Sequence, residues 1–356
     1  MHSVVILGSS GSIGENTLEI CRRFDIEVEA LAVGSNIESL AKQIELFSPR
    51  YVAVADESAA AKLDFPRIFS GEDAALRMLE HTESPLVVNA MVGYAGLAPT
   101  LRALETGREV ALANKESLVA AGAFLDRSGI IPIDSEHFGL WYLLGKRRAK
   151  ALYITASGGA LRDMPLEELY RATYREALAH PNWSMGEKIT IDSASMMNKL
   201  FELLEARWLF DTGNIDAFIE RSSLIHAMVQ FPDGSMTAHL AGTDMKLPIA
   251  FALRGEVDEE IVPPLDPLSI APIEFEEIDK ERYPLWELRE EILSRPKMGA
   301  VLNAANEVAM ERFRQGENSF GEFVADILEI YGRFSDREPE SIDEVFEIDR
   351  EVRAGA

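Results

Sequence analysis

One cysteine, Cys21, is all the thiol this chain has in 356 residues, so no disulfide can close within it and a reducing compartment is expected. Set in an apolar helical pattern, Cys21 reads as buried filler rather than a nucleophile. Positive charge is scarce too: 35 Lys and Arg stand against 60 Asp and Glu, a net charge of −25. That balance excludes a general nucleic-acid or anionic-membrane binder, since both need basic patches. An anionic small substrate would have to meet a few lysines gathered locally. Long apolar runs are missing, so no membrane span is expected, and there is no internal repeat or low-complexity tract. Residues 1–8 run straight into a strand pattern with no room for a secretory signal, so the expected location is cytoplasmic. With 47 % apolar residues and a mean hydropathy near zero, the composition is that of a globular protein of two or three domains.

What is present begins with an apolar run at residues 4–7, then Gly8-Ser9-Ser10-Gly11-Ser12-Ile13-Gly14, then a helical pattern to Arg23. Strand, glycine turn and helix in that order form the phosphate-binding corner of a dinucleotide fold. Glycines admit a pyrophosphate to the backbone, and the helix N-terminus supplies free N–H groups. The alternation continues with strand-like runs at residues 28–33, 51–55, 86–89, 110–113 and 129–133, separated mostly by helical patterns. Ser35-Asn36-Ile37-Glu38 reads as a capping box opening the second helix. Six short strands interleaved with helices predict a doubly wound, Rossmann-like parallel sheet, hence an α/β fold. The second strand ends at Gly34-Ser35-Asn36, without the acid that would hold a ribose 2′-hydroxyl, which favours NADP over NAD.

Further candidates follow at strand ends. Asn114-Lys115-Glu116 closes the fifth strand at the carboxyl edge, where such sheets bind ligands. Asp134-Ser135-Glu136-His137 closes the sixth. In extended chain Asp134 and Glu136 point the same way and could chelate one ion, while His137 points away. Two carboxylates so spaced are common on exposed strand ends without being ligands, and Glu202 is a candidate third. Three carboxylates and no thiolate suit Mg²⁺ or Mn²⁺ better than Zn²⁺.

The second half differs. A strand over residues 151–155 leads to Ala156-Ser157-Gly158-Gly159, a small-residue loop able to offer N–H groups to an anion. A helix is expected near residues 165–175. Then comes His180-Pro181-Asn182-Trp183-Ser184-Met185-Gly186, too broken for a core element but carrying a large aromatic, and read as a lid. A short strand to Ile191 and an amphipathic helix from Asp192 are expected next. Ser195, Asn198, Lys199 and Glu202 share one face of that helix at i, i+3, i+4 and i+7; Met197, Leu200, Phe201, Leu204 and Trp208 share the other. Runs at residues 224–231 and 235–240 flank Pro232-Asp233-Gly234 and form a hairpin. The expected organisation is residues 1–133 as the dinucleotide-binding domain and 134–255 as a central α+β catalytic domain with a lid at 180–188. A proline-rich linker at 256–280 and a helical bundle at 281–356 complete it. Ser319 to Glu322 and Ser341 to Glu344 read as capping boxes in that bundle.

Taken together, the glycine loop, Asn114-Lys115-Glu116, Asp134-Ser135-Glu136-His137, Ser157-Gly158-Gly159 and the 180–202 stretch resemble the 1-deoxy-D-xylulose 5-phosphate reductoisomerase family. The likeness runs nearly end to end, through Leu302-Asn303-Ala304-Ala305-Asn306-Glu307-Val308-Ala309. The resemblance implies conversion of 1-deoxy-D-xylulose 5-phosphate to 2-C-methyl-D-erythritol 4-phosphate, on the non-mevalonate route to isoprenoid precursors. It implies NADPH and a divalent cation (Mg²⁺ or Mn²⁺, with Co²⁺ an alternative), and a homodimer. It assigns the metal to Asp134, Glu136 and Glu202. Substrate falls to Ser157, His180, Ser193, Asn198 and Lys199, mainly at its phosphate, and to Lys115, Ser135, Glu136 and Glu202 at its other end. Trp183 would be the lid's apolar cover. NADPH falls to Ser10, Gly11, Ser12, Ile13, Gly34, Ser35, Asn36, Asn114, Glu116 and Gly186. Lys115, Glu136 and His180 are the catalytic candidates, with either Glu136 or Lys115 moving hydroxyl protons.

Three departures stand out: Ser10 where the family usually has Thr, Ser35 where many members carry a basic residue, and Glu220-Arg221-Ser222-Ser223 in place of His-Pro-Gln-Ser. The nearest rival reading is another NADP-dependent oxidoreductase, acting on a small phosphorylated or semialdehyde substrate without carbon migration. A nucleotide-binding regulatory protein with a dead site would lack one of Asp134, Glu136, Lys199 or Glu202, and all are present.

Overall fold

The structure is a computed structural model that describes residues 3–183 and 185–356; Met1, His2 and Ser184, the last inside the expected lid, lie outside the described residues. The chain forms two compact units interleaved in sequence. One comprises Met1–Asn114, Leu125–Asp134 and Asp244–Pro263; the other comprises Lys115–Phe124, Ser135–Thr243 and Pro264–Ala356.

The first unit is built on seven parallel strands: β1 (Ser3–Leu7), β2 (Glu27–Val33), β3 (Tyr51–Val54), β4 (Ile68–Ser70), β5 (Leu86–Asn89), β6 (Glu109–Leu112) and β7 (Ile130–Pro132). Their order is β4-β3-β2-β1-β5-β6-β7. The chain thus winds outward from β1 in one direction, then returns to β5 and winds out in the other. The gap between the carboxyl ends of β1 and β5 is the switch point where such sheets open a crevice. Val4, Ile6, Val28, Leu31, Val52, Val54 and Val88 are buried, as near-continuous apolar strands covered on both faces require. Cys21 is fully buried in the same core and burial pushes its thiol up to about 12, the inert filler expected. The seventh strand, β4, was not expected: Ile68-Phe69-Ser70 is three half-buried residues at the sheet edge, too short for a hydrophobic pattern to register. The second helix is capped by Asn36, whose side chain accepts from Ser39 N–H, one residue later than the Ser35 box anticipated.

The second unit carries a four-stranded mixed sheet of β8 (Ala151–Ala156), β9 (Ile215–Ile219), β10 (Ile225–Gln230) and β11 (Met236–Leu240), ordered β11-β10-β8-β9. The β10–β11 hairpin turns at Gly234, whose φ of 90° favours glycine. β9 is the strand that sequence reading passed over. Helices Gly299–Gln315, Phe320–Arg333 and Ile342–Gly355 form the C-terminal part, with Phe313 stacked on Phe323 at 5.0 Å. Ser319 and Glu322 make a full capping box. Ser341 caps its helix, but Glu344 turns its carboxylate to Glu340 N–H instead of completing a box. Residues 255–280 form no helix or strand beyond one bridge between Glu276 and Ile219. Among the described residues, no helix is long and apolar enough to cross a membrane.

Three local expectations are corrected here. Residues Glu187–Ala194 are a helix, not a strand: Gly186 is its N-cap, Thr190 Oγ1 donates back to Gly186 O, and Lys188 pairs with Asp192 one turn on. The helix does not continue through Asn198. Met196, at φ 67°, breaks it, and a second helix spans Met197–Leu209, so Ser195 leaves the face that Asn198, Lys199 and Glu202 share. The helix expected near 165–175 is two single turns, Leu166–Leu169 and Tyr174–Ala177, parted by Thr173, which caps the second.

Candidate active site

The first unit supplies a dinucleotide corner. β1 ends in Gly8, at φ 84°; a Cβ there would sit 2.4 Å from Ala90 O, and one on Gly14 would sit 2.4 Å from Gly8 O. Only glycine fits at both points, which lets the loop fold tightly and the helix Ser12–Arg23 start directly beneath it, with Gly11 as N-cap. Gly11 and Ser12 are exposed, Ser10 and Ile13 half-buried, so the helix N-terminus is open to an anion. Gln43 steadies this loop from the next helix: it accepts from Ser9 Oγ at 2.7 Å and donates to Ser9 O at 3.0 Å, and both residues are buried. Neither was anticipated, because a glutamine on a helix gives no sign of what it faces. Gly34, Ser35 and Asn36 are exposed at the end of β2. Asn114 is buried, and its Nδ2 donates to Met91 O and Gly93 O, both at 2.8 Å, holding the loop after β5.

The second unit gathers most of the other candidates into one charged cluster. Glu136 is not at a strand end but in the first turn of the helix Ser135–Leu144, so the two-residue alternation expected of Asp134 and Glu136 does not apply. Asp134 is the last residue before that helix. Lys199 Nζ donates to Glu136 Oε1 at 2.7 Å and also to Glu202 Oε2. Lys115 Nζ donates to Glu202 Oε1 at 3.0 Å and to Asn198 Oδ1 at 2.8 Å, and Asn198 Nδ2 donates to Glu202 Oε1 at 2.5 Å. Lys115, Lys199 and Glu202 are all buried, so the polar face of the Met197–Leu209 helix is an interior site rather than a solvated stripe. Burial works against the Lys199 charge, but Glu136 and Glu202 outweigh it and hold its pKa above the usual ammonium value. His137 is buried with Nε2 2.9 Å from Glu202 O, which fixes the helix that bears Glu202.

Ser135 Oγ donates to Glu136 Oε2 at 2.5 Å and lies 3.0 Å from His226 Nδ1, whose Nε2 lies 3.1 Å from Ala241 O. His226 is thus a site residue that sequence reading did not name. It sits on β10 of the hairpin, and only the strand pairing brings it beside the helix start.

A third group surrounds the small-residue loop after β8. Gly158 and Gly159 adopt φ of 90° and 73°. Ser157 Oγ meets His180 Nε2 at 2.9 Å and accepts from Gly159 N–H. Arg162, also unanticipated, donates to Ser157 O at 2.7 Å and to Arg221 O at 3.0 Å. Here a cation, a hydroxyl and an imidazole sit at backbone able to receive an anion. The lid residues are tied down as well: Asn182 Nδ2 donates to Arg221 O and Ser223 Oγ, and Trp183 stands edge-on to His226 at 6.0 Å. The substituted 220–223 loop keeps its shape through Glu220, which accepts from Ser222, Leu224 and Ile225 N–H. Ser193 is half-buried on the Glu187–Ala194 helix, behind exposed Gly186. Glu116 is buried and paired with Lys188 Nζ at 2.8 Å.

The family model for 1-deoxy-D-xylulose 5-phosphate reductoisomerase matches residues 4–122. Models for its C-terminal domain and for the DXP reductoisomerase C-terminal domain match residues 130–210 and 240–355. The chain is 56 % identical to the 1-deoxy-D-xylulose 5-phosphate reductoisomerase of Nautilia profundicola, covering 98 % of each chain. It is 51 % identical to that of Wolinella succinogenes, again over 98 % of each. Among solved structures it resembles a DOX-P reductoisomerase in complex with NADPH, fosmidomycin and magnesium, with a TM-score of 0.90 and 32 % identity over 99 % of this chain and 97 % of that one. It also resembles the Zymomonas mobilis reductoisomerase in complex with NADPH, with a TM-score of 0.87 and 33 % identity over the same shares.

Proposed function

This chain belongs to the 1-deoxy-D-xylulose 5-phosphate reductoisomerase family, and from that premise we propose how its own residues divide the work of an NADPH- and divalent-metal-dependent reductoisomerase. It converts 1-deoxy-D-xylulose 5-phosphate to 2-C-methyl-D-erythritol 4-phosphate in isoprenoid precursor biosynthesis. The observation that carries the reading is the convergence of Glu136 and Glu202 on the single Nζ of Lys199. Two carboxylates that meet one ammonium can meet one small cation, and the oxygen-only donor set suits a hard ion. Asp134, two residues before Glu136, is the proposed third ligand.

When bound, the cation would act as a Lewis acid toward adjacent substrate oxygens and NADPH would supply the hydride. The chain's own residues do the rest. Lys115 holds a proton at Nζ within reach of Asn198 and Glu202, and Glu136 can accept one beside Ser135. Ser157, His180, Ser193 and Arg162 hold the substrate phosphate away from the reacting carbons, so that binding there positions the sugar. Trp183, with residues 180–188, excludes water as a lid. Ser10, Gly11, Ser12, Ile13, Gly34, Ser35 and Asn36 hold NADPH; Asn114, Glu116 and Gly186 shape its surroundings. The first unit acts as the cofactor domain and the second as the catalytic domain.

A homodimer and a cytoplasmic location complete the proposal. β11, at the edge of its sheet, carries exposed Met236 and Leu240, which suit a second copy. The test is NADPH oxidation with 1-deoxy-D-xylulose 5-phosphate, with and without Mn²⁺, followed by NMR of the product. NADPH consumption without the branched product would overturn the rearrangement, and turnover unaffected by chelation would overturn the metal site.

A further inference from the structure

The stretch Leu302-Asn303-Ala304-Ala305-Asn306-Glu307 has no part in the site described above, yet Asn303 and Asn306 are both 0 % exposed on the helix Gly299–Gln315. A buried amide is costly unless hydrogen-bonded, and Asn306 has a specific partner: its Nδ2 donates to Asp192 Oδ1 at 2.8 Å. The other carboxylate oxygen, Asp192 Oδ2, accepts from Lys188 Nζ at 2.7 Å, and the same Nζ meets Glu116 Oε1 at 2.8 Å. Asn306, Asp192, Lys188 and Glu116 therefore form one chain of contacts within the second unit, half-buried at Lys188 and buried at the other three, joining the helices Gly299–Gln315, Glu187–Ala194 and Lys115–Ala121. Lys188 also lies over the ring of Phe201, on the helix that bears Asn198, Lys199 and Glu202.

Stability alone does not account for such an arrangement, because apolar residues of similar volume generally serve as well as a buried ion pair. Hydrogen-bonded charges differ from an apolar contact in fixing direction, so that only one mutual setting of the helices satisfies them. The setting they fix is that of residues next to the substrate. Glu116 adjoins Lys115, which reaches Asn198 and Glu202. Asp192 adjoins Ser193, whose carbonyl packs so closely on the small-residue loop that a Cβ on Gly159 would lie 2.6 Å from it. Lys188 itself is the last residue of the proposed lid segment, two residues after Gly186.

We propose that Lys188 is a positioning residue for the reductoisomerase reaction, joining the Ser193 helix to the start of the Lys115 helix, and that Asn306 orients Asp192 to receive it. The proposal rests on the site reading above, in which Lys115 and Ser193 face substrate. It gives the Asn303–Glu307 stretch a role at a distance: the asparagine is part of the frame of the site without touching it.

The test compares Lys188→Met, Lys188→Arg and Asn306→Leu with wild type in the full chain, measuring kcat and KM for the sugar phosphate at saturating Mn²⁺, NADPH affinity by fluorescence, and Tm. Lys188→Met is expected to lose roughly 10- to 100-fold in kcat/KM for the sugar, as misplacement by about 1 Å does. Lys188→Arg should recover most of this, and Asn306→Leu should lose less, in the same direction. The double variant should be no worse than Lys188→Met, since both act through one chain of contacts. Wild-type kcat and KM in folded Lys188→Met, whatever its Tm, would overturn the proposal. Should Lys188→Met not fold, Asn306→Leu decides, and unchanged kcat/KM there overturns it equally. A wild-type chain inactive on the sugar phosphate would instead overturn the site reading itself.

Discussion

His180 donates from Nε2 to Ser157 Oγ at 2.9 Å, and its tautomer is set by its other nitrogen. Nδ1 faces the backbone N–H groups of Asn182 and Trp183 at 3.2 and 3.0 Å, so it must accept. The ring is therefore neutral, and burial, aided by the nearby Arg162 charge, pushes its pKa down to about 4. A depressed histidine contributes stability that is complete above its ordinary value of 6.5 and is lost as pH falls through the folded value.

The first prediction follows from that sign. Wild type should lose more stability than His180→Gln between about pH 7 and about pH 4, by on the order of 1 kcal/mol after screening of a half-exposed ring. Urea unfolding at the two pH values measures the difference. A phosphonate bound beside the ring should raise its pKa and take up a proton, seen as buffer-dependent heat in calorimetry. Equal losses in the two proteins would mean that His180 is not neutral for the reason given.

Glu202→Gln tests the carboxylate cluster. The amide keeps the shape, but it removes the charge that Lys115 and Lys199 both meet and one oxygen donor from the proposed cation site. Mn²⁺ affinity, read by electron paramagnetic resonance, should fall by roughly 100-fold, with turnover falling alongside it. NADPH binding should survive. Normal turnover at limiting Mn²⁺ would remove Glu202 from the metal site.

Cofactor choice is legible at Ser35. Gly34-Ser35-Asn36 is exposed and carries neither acid nor base, so NADPH should be preferred to NADH by a modest margin. Ser35→Arg should widen that margin by roughly tenfold through a charge-assisted contact with the 2′-phosphate. The ratio of kcat/KM for the two cofactors measures it, and equal efficiency in wild type would defeat the argument.

The doubly wound sheet could be read from sequence because parallel strands buried on both faces leave apolar runs that need no partner to identify them. The glycine loop was equally plain, since Gly8 and Gly14 stand where nothing larger fits. Residues 187–191 were misread because Ile189 and Ile191 alternate with polar residues as a strand would. The deciding Lys188–Asp192 pair and the Gly186 cap are helical signals that the β-branched residues obscured. Met196 broke the next helix by a left-handed backbone that no composition announces. His226, Arg162 and Lys188 went unnamed for a different reason. Each matters through contacts over long sequence distance, to Ser135, Arg221 or Glu116, and only the folded chain brings those together.

The last prediction concerns whether residues 180–186 are a lid or a fixed loop. Trp183 is half-buried, and its ring stands edge-on to His226, which Ser135 and Ala241 hold in place. A residue packed on one ring at the site rather than in the core should matter to closure and little to folding. Trp183→Ala should lower kcat/KM by roughly 10- to 100-fold while leaving Tm within a few degrees. Fluorescence should report the closure directly, as the difference between wild type and Trp183→Phe on adding the sugar phosphate or a phosphonate analogue with Mn²⁺. Replacing the other tryptophans is the poorer design, because Trp286 is buried and Trp208 fills the space left by Gly122. If Trp183→Ala instead unfolds the chain while its folded fraction keeps wild-type kinetics, the segment is a packed loop and closure happens elsewhere.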